Sequence, residues 1–196
     1  MEYLGWQPYG VEPDSEAARV AKERYNLTID VGTLDQINYP DSFFDAIVMN
    51  HVIEHVPDPV ALFQQCRRLL RPGGKLALLT PNVKSLGSRL FHSAWRGLEP
   101  PRHLHLFSPK ALGACAKQAG LQIDFIRTST YSASTIWKMS RIIKNRTREQ
   151  KGEKPPRRSR VGGLIFQAIE EIVWVIWPTL GEEILMIATK INGAPR

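Results

Sequence analysis

Residues 43 to 80 leave little choice of fold. "FFDAIVMN", residues 43 to 50, is a continuous apolar run of the kind a buried parallel strand requires. Asp58-Pro59 then starts a helix, with the acid as cap and proline at the first helical position. Leu62, Phe63, Cys66, Leu69 and Leu70 form one stripe of that helix, and Gln64, Arg67, Arg68 and Arg71 lie opposite. Arg71-Pro72-Gly73-Gly74 stops it, and Lys75 to Thr80 is the next apolar strand. Strand, helix and strand in succession predict an α/β chain with a mostly parallel sheet and helices on both faces.

The alternation extends both ways. Gln7–Glu12 reads as a strand, and Asp14 or Ser15 caps a helix carrying Ala17, Ala18, Ala21 and Tyr25 at helical spacing. Leu27–Val31 is a second strand, turned by Gly32-Thr33-Leu34. A looser stretch after Pro81-Asn82 reaches "PPRHLHLFSP". Ser108-Pro109 then starts a helix that Gly120 stops, and Leu121–Tyr131 is a strand. "EEILMIATKI" supplies the last one, Glu183–Ile191. A length of 196 residues suits one domain. Its core is expected over residues 1–140 and 181–196. Cys66 and Cys115 lie inside helical patterns without metal-like or disulfide-like spacing, which points to a reducing cytoplasmic setting. No basic start followed by an apolar run suggests a signal peptide.

The net charge of +7 is local. Residues 141–160 hold nine Lys or Arg and two Glu, while the rest of the chain balances 17 bases against 17 acids. The segment reads as a basic mobile loop, and without interleaved aromatics it makes a nucleic-acid partner unlike the pattern. Residues 161–180 follow as an apolar helix. "LIFQAIEEIVWVIW" is interrupted only by Gln167, Glu170 and Glu171 and is too short to span a bilayer. It is expected to pack on the sheet as a core helix. The sharper reading puts Trp174 and Trp177 at a lipid boundary, with the basic segment drawn to anionic headgroups as a peripheral membrane contact.

Several polar residues stand where chemistry is done. Glu12 ends a strand, and its two acceptor oxygens suit a vicinal diol. His51, Glu54 and His55 are spaced i, i+3, i+4, so one helical turn gathers them. Three readings stand: a histidine base for a substrate hydroxyl, a divalent-ion site, or side chains that merely steady the turn before Asp58. Arg102, His103 and His105 lie in a proline-bounded loop, flanked by Trp95 and Phe107, which could stack on a planar substrate. Alternation about Leu104 aims His103 and His105 the same way.

"YGVEPD", "FDAIVMNHVIEHVPDP" and "LLRPGGKLALLTPN" together resemble class I S-adenosylmethionine-dependent methyltransferases. The likeness is greatest to the small-molecule branch that includes the ubiquinone-pathway O-methyltransferases. "PPRHLHLFSP" and "GEEILMIATK" also resemble that branch, and the likeness covers residues 4–135 and 181–191. It implies a Rossmann-like sheet of order 3-2-1-4-5-7-6 with its last strand antiparallel. Gln7–Glu12 is then the second strand, so the first strand and its glycine-rich loop are absent and the chain reads as amino-terminally truncated.

By that resemblance the cofactor is S-adenosyl-L-methionine, held by Glu12 at the ribose, Thr33 and Leu34 at the adenine, and Asn50 beside the methionine part. His51, His55 and His103 are the candidate proton acceptors. Trp95, Arg102 and His105 line the acceptor pocket, and no metal is expected. The implied activity is methylation, at oxygen, of a small or lipid-like acceptor. The alternative is a non-catalytic binding module, stabilised by a homo-oligomeric or other partner in the empty strand position.

Overall fold

Three helix starts are made by the residues that predict them. The Asp14 carboxylate accepts from the backbone N–H of Glu16 at 2.8 Å and of Ala17 at 3.1 Å. Asp58 accepts from Ala61 N–H at 2.9 Å, and Ser108 Oγ from Ala111 N–H at 3.3 Å. Each cap satisfies donors that a helix terminus otherwise leaves unpaired. The protein is seen here as a computed structural model that describes residues 5–151 and 161–191.

The chain runs β1 (Tyr9–Glu12), α1 (Ser15–Tyr25), β2 (Thr28–Val31), β3 (Phe44–Asn50), a 3-10 turn Ile53–His55, α2 (Pro59–Leu69) and β4 (Leu70–Pro81). After these come α3 (Leu86–Phe91), α4 (Pro109–Gln118), β5 (Gln122–Ser129), α5 (Ala133–Gln150), α6 (Gly162–Ile176) and β6 (Glu183–Thr189). β1 pairs parallel with β2, and a four-stranded sheet has the order β3-β4-β6-β5. β3 and β4 are parallel, and β6 is antiparallel to both its neighbours. β4 starts earlier than the sequence suggests. Its Pro-Gly-Gly portion is absorbed as a register shift between Phe44↔Leu70 and Ala46↔Lys75. At Gly73, φ is +80°, a conformation that costs glycine little, and its N–H donates to Lys190 C=O at 2.8 Å.

Alternate strand residues Leu76, Leu78, Ile184, Met186 and Ala188 meet Phe63 and Cys66 of α2 and Leu112 and Ala116 of α4 in one buried cluster. Burial of each large apolar side chain stabilises the fold by about 1.5–3 kcal/mol. The opposite face is more open: Val48 is 61% exposed and Leu185 36%. Helices α3 and α6 gather instead at the sheet's carboxyl edge. There Leu86 N–H donates to Leu180 C=O at 2.9 Å and Trp174 Nε1 to Thr128 Oγ1 at 3.0 Å.

Among the described residues no strand joins β1 to β3. Tyr9 meets Phe43 and Phe44 edge-on at 5.5 and 5.8 Å, which ties the two sheets together at one end. Above that junction a cavity of about 770 Å³ opens between the free edges of β1 and β3.

Two segments depart from expectation. Residues 141–150 are not loop but the second half of α5; residues 152–160 lie outside the described residues. Composition suggested a solvated linker, yet Ile136, Ser140 and Ile143 recur at helical spacing on the less exposed side of α5, and Arg141 stacks over Trp137 at 4.7 Å. α6 is a helix as read, but its apolar face is not in the core. Gly163, Phe166 and Glu170 are its buried residues, while Leu164, Ile165, Ile169, Ile172, Val175 and Ile176 are exposed.

Candidate functional site

The topology brings the polar residues to one edge. β3 and β4 end there at Asn50 and Pro81, and antiparallel β6 begins there with Glu183 paired to Pro81. Open parallel sheets present ligands at this carboxyl edge. Directly after β3, His51 turns into the left-handed region with φ +53°, held by its N–H on Leu79 C=O at 2.9 Å. That turn aims the imidazole back at the sheet.

His51 is clasped between two carboxylates. Its Nδ1 lies 3.0 Å from Glu54 Oε1 and its Nε2 3.2 Å from Glu183 Oε1. With acceptors on both nitrogens the ring is held as imidazolium. The Glu183 and Glu54 hydrogen bonds push its pKa up to about 9, against a smaller opposing effect of burial. Burial alone would raise the Glu54 pKa. The hydrogen bonds from His51, the backbone and Thr80 Oγ1, the last at 2.8 Å, instead hold it below the usual range. A histidine that already carries its proton at neutral pH is a poor base, which favours His55 over His51 as the proton acceptor.

His55 is differently placed. Its Nδ1 meets Arg102 C=O at 2.8 Å, which makes Nδ1 the donor and orients Nε2 away from that carbonyl. His103 packs edge-on to it, ring centroids 4.7 Å apart, with Nδ1 2.7 Å from Gly97 C=O. One ligating atom from each of Glu54, His55 and His103 lies within 4.8 Å of the other two. Two nitrogens and one oxygen are donors suited to a borderline divalent ion. His51 is not in that set, because both its nitrogens face carboxylates.

The loop over this edge is docked by backbone. The N–H groups of Leu104 and His105 donate to Glu54 C=O at 2.8 and 3.2 Å. His103 and His105 do share a side: His103 contacts Gly97, His105 Nε2 lies 3.2 Å from Pro57 C=O, and Leu104 and Leu106 are exposed. Arg102 is exposed and pairs with Glu99 at 2.8 Å.

Trp95 and Phe107 cannot stack on a substrate, which corrects the sequence reading. Both are buried, and Trp95 Nε1 donates to Glu182 at 3.1 Å. Glu182 also accepts from Ser85 Oγ at 3.0 Å and Gly87 N–H at 2.6 Å, so Trp95 is a core side chain that helps satisfy a buried carboxylate.

Of the cofactor candidates only Thr33 and Leu34 line the cavity; Glu12 and Asn50 do not, and Glu12 Oε1 accepts from Asp14 N–H at 3.0 Å. Glu12 ends β1, and Gly32 N–H donates to Glu12 C=O at 3.0 Å, which seats the Gly32-Thr33-Leu34 turn beside it. Thr33 and Leu34 line the cavity between the sheets, and Leu34 also packs on the main core; Asn50 is exposed at the tip of β3.

Spacing alone did not single out Glu183, Thr80 or Glu170. Two adjacent acids opening an apolar strand, at Glu182-Glu183, were the available signal.

Comparison with known proteins bears on the family and the fold. Residues 1–124 match a family described as a methyltransferase domain. A ubiquinone biosynthesis O-methyltransferase of Pseudomonas aeruginosa is 37% identical over 101 residues, 47% of this chain and 42% of that protein. One of Xanthomonas oryzae pv. oryzae is 34% identical over 113 residues, 53% and 45%. The match thus spans less than half the length of these curated relatives. Among solved structures, a SAM-dependent methyltransferase of Thermotoga maritima superposes with a TM-score of 0.61 at 20% identity, over 96% of this chain and 74% of that one. A phosphoethanolamine N-methyltransferase 2 of Haemonchus contortus, in complex with S-adenosyl-L-methionine, gives 0.60 at 19%, over 97% and 45%. The cyclase SpnF gives 0.61 at 16%, over 95% and 67%, a reminder that this fold alone does not choose the reaction. The family match over most of the chain, on a sheet of matching architecture, means that this protein belongs to the methyltransferase domain family.

Proposed function

We propose that the chain acts as an S-adenosylmethionine-dependent methyltransferase domain that methylates an oxygen of a small or lipid-like acceptor. Its family membership carries the reading, and the relatives named as O-methyltransferases support oxygen as the target. The residues present suit the cofactor. Glu12 offers a carboxylate at a strand end, Gly32 provides a turn without a side chain beside it, and Leu34 is a half-buried apolar surface. Bound there, the cofactor would supply an electrophilic methyl on a sulfonium, with a neutral thioether as the leaving group.

The chain's own residues then have two tasks. The docked 103–105 loop and the Ile53–His55 turn position the acceptor, and alignment is the larger part of catalysis in such a displacement. His55 Nε2 receives the hydroxyl proton, its ring oriented by Arg102 C=O. His51, already protonated, keeps Glu54 and Glu183 in place and adds a fixed positive charge to the edge.

Isothermal titration with S-adenosyl-L-methionine tests the first half of the reading. Micromolar binding, about 8 kcal/mol, weakened about tenfold or more by Glu12→Ala, is the expected result. Labelled methyl transfer to a panel of hydroxylated acceptors tests the second half. Cofactor binding without transfer to any oxygen would remove the O-methylation reading while leaving the cofactor reading intact.

A further inference from the structure

α6 is amphipathic with its polar side turned inward. Fully buried Glu170 and half-buried Gln167 face the protein, and Gln167 accepts from Ser134 N–H at 3.0 Å and donates to Thr130 C=O at 2.8 Å. The outward side carries Leu164, Ile165, Ile169, Ile172, Val175 and Ile176, with Ile172 65% and Val175 75% exposed. At 3.6 residues per turn these six fall within about 140° of arc, and no charged residue lies inside it. Glu171 borders one side. So wide an uninterrupted apolar face on solvent marks an interaction surface.

Its surroundings are basic. α6 runs antiparallel along α5: a Cβ on Gly162 would strike the Trp137 ring, Gly163 sits against Lys138, and Gln167 reaches back to Ser134 and Thr130. α5 exposes Lys138, Lys144 and Arg146, together with apolar Met139 and Ile142. An apolar helix face packed along a helix that exposes cations is a combination that binds an anionic lipid surface, where apolar side chains enter the headgroup boundary and cations meet phosphates. No described helix is long and apolar enough to cross a membrane.

We infer that the α5–α6 hairpin docks this protein on an anionic bilayer surface, with the Leu164–Ile176 face lying in the interface. The docking is independent of which acceptor is methylated. It would, however, set the carboxyl edge close to the lipid, because only residues 177–182 separate α6 from Glu183.

Flotation of the full chain with vesicles tests this. Vesicles of phosphatidylglycerol mixed with phosphatidylcholine are expected to carry the protein upward, and pure phosphatidylcholine much less. Added salt should weaken the binding without abolishing it. Ile172→Glu combined with Val175→Glu should lower the bound fraction about tenfold or more. Circular dichroism should be unchanged, because both side chains point to solvent. Lys144→Glu with Arg146→Glu should lower binding to the anionic vesicles selectively. Absence of wild-type flotation at low salt would overturn the inference, and so would unaltered flotation of the Ile172/Val175 variant. A wild-type dimer that the same variant splits, with no vesicle recruitment, would assign the face to a second copy of the chain and likewise overturn it.

Discussion

Nε2 of His51 lies 3.2 Å from a carboxylate oxygen of Glu183, 132 residues further along the chain. The contact exists because β6 inserts antiparallel beside β4, so its first residue arrives at the edge where β3 and β4 end. It converts the site's most prominent histidine from a candidate base into a fixed cation.

The first prediction is a titration. The His51 ring protons should shift with a midpoint near pH 9, and Glu183→Gln should move that midpoint down toward the ordinary 6.5. The folded-state pKa lies above the unfolded one. The clasp's stabilisation is therefore complete below about pH 6.5 and is lost as pH rises through about 9. Since 41% of the side chain is exposed, solvent screening keeps the effect to about 1 kcal/mol or less. NMR across pH 5 to 11 would report it; a midpoint near 6.5 in the intact protein would remove the cation.

Glu170 is a buried acid whose two oxygens find no side-chain partner among the described residues, only the Glu182 backbone N–H opposing the effect of burial. Burial, reinforced by Glu182, Glu183 and Glu171, pushes its pKa up to about 9, so it is neutral in the folded protein at pH 7. Its contribution is fully favourable only below the unfolded value near 4.5 and erodes as pH climbs to 9. Glu170→Leu should stabilise the fold by about 1–3 kcal/mol. That is a rise of roughly 2–4 °C in Tm per kcal/mol, larger at pH 8 than at pH 5. Thermal melts at the two pH values decide it.

Trp95→Phe should cost about 1–3 kcal/mol, because it leaves Glu182 short of a buried donor. The same change should leave the acceptor KM alone. Urea denaturation beside steady-state kinetics separates the two; an altered KM with unaltered stability would return Trp95 to the acceptor pocket.

His55→Gln should reduce kcat about 10²–10⁴-fold and leave S-adenosyl-L-methionine affinity within error. His51→Gln should disturb the edge without the same loss. Rapid-quench methyl transfer with both variants would rank them, and the opposite ranking would exchange their roles.

Much of the architecture is legible because it is local. The caps at Asp14, Asp58 and Ser108, the apolar period of α2 and the run Phe44–Asn50 each act within a few residues, where sequence spacing is spatial spacing. α5 was the local failure: its basic composition masked a helical period in Ile136, Ser140 and Ile143.

The sequence by itself thus determined the alternation of strands and helices, the family, and that His51, Glu54 and His55 follow β3, but not that Glu183 and Thr80 join them. Only the tertiary structure decided what each of them does there. His51 is charged because Glu183 meets it, Trp95 is core because Glu182 needs a donor, and α6 shows its apolar side because Gln167 docks on Thr130 and Ser134. In each case the deciding partner is distant in the chain, and proton affinity, burial and facing direction depend on the surroundings that folding supplies.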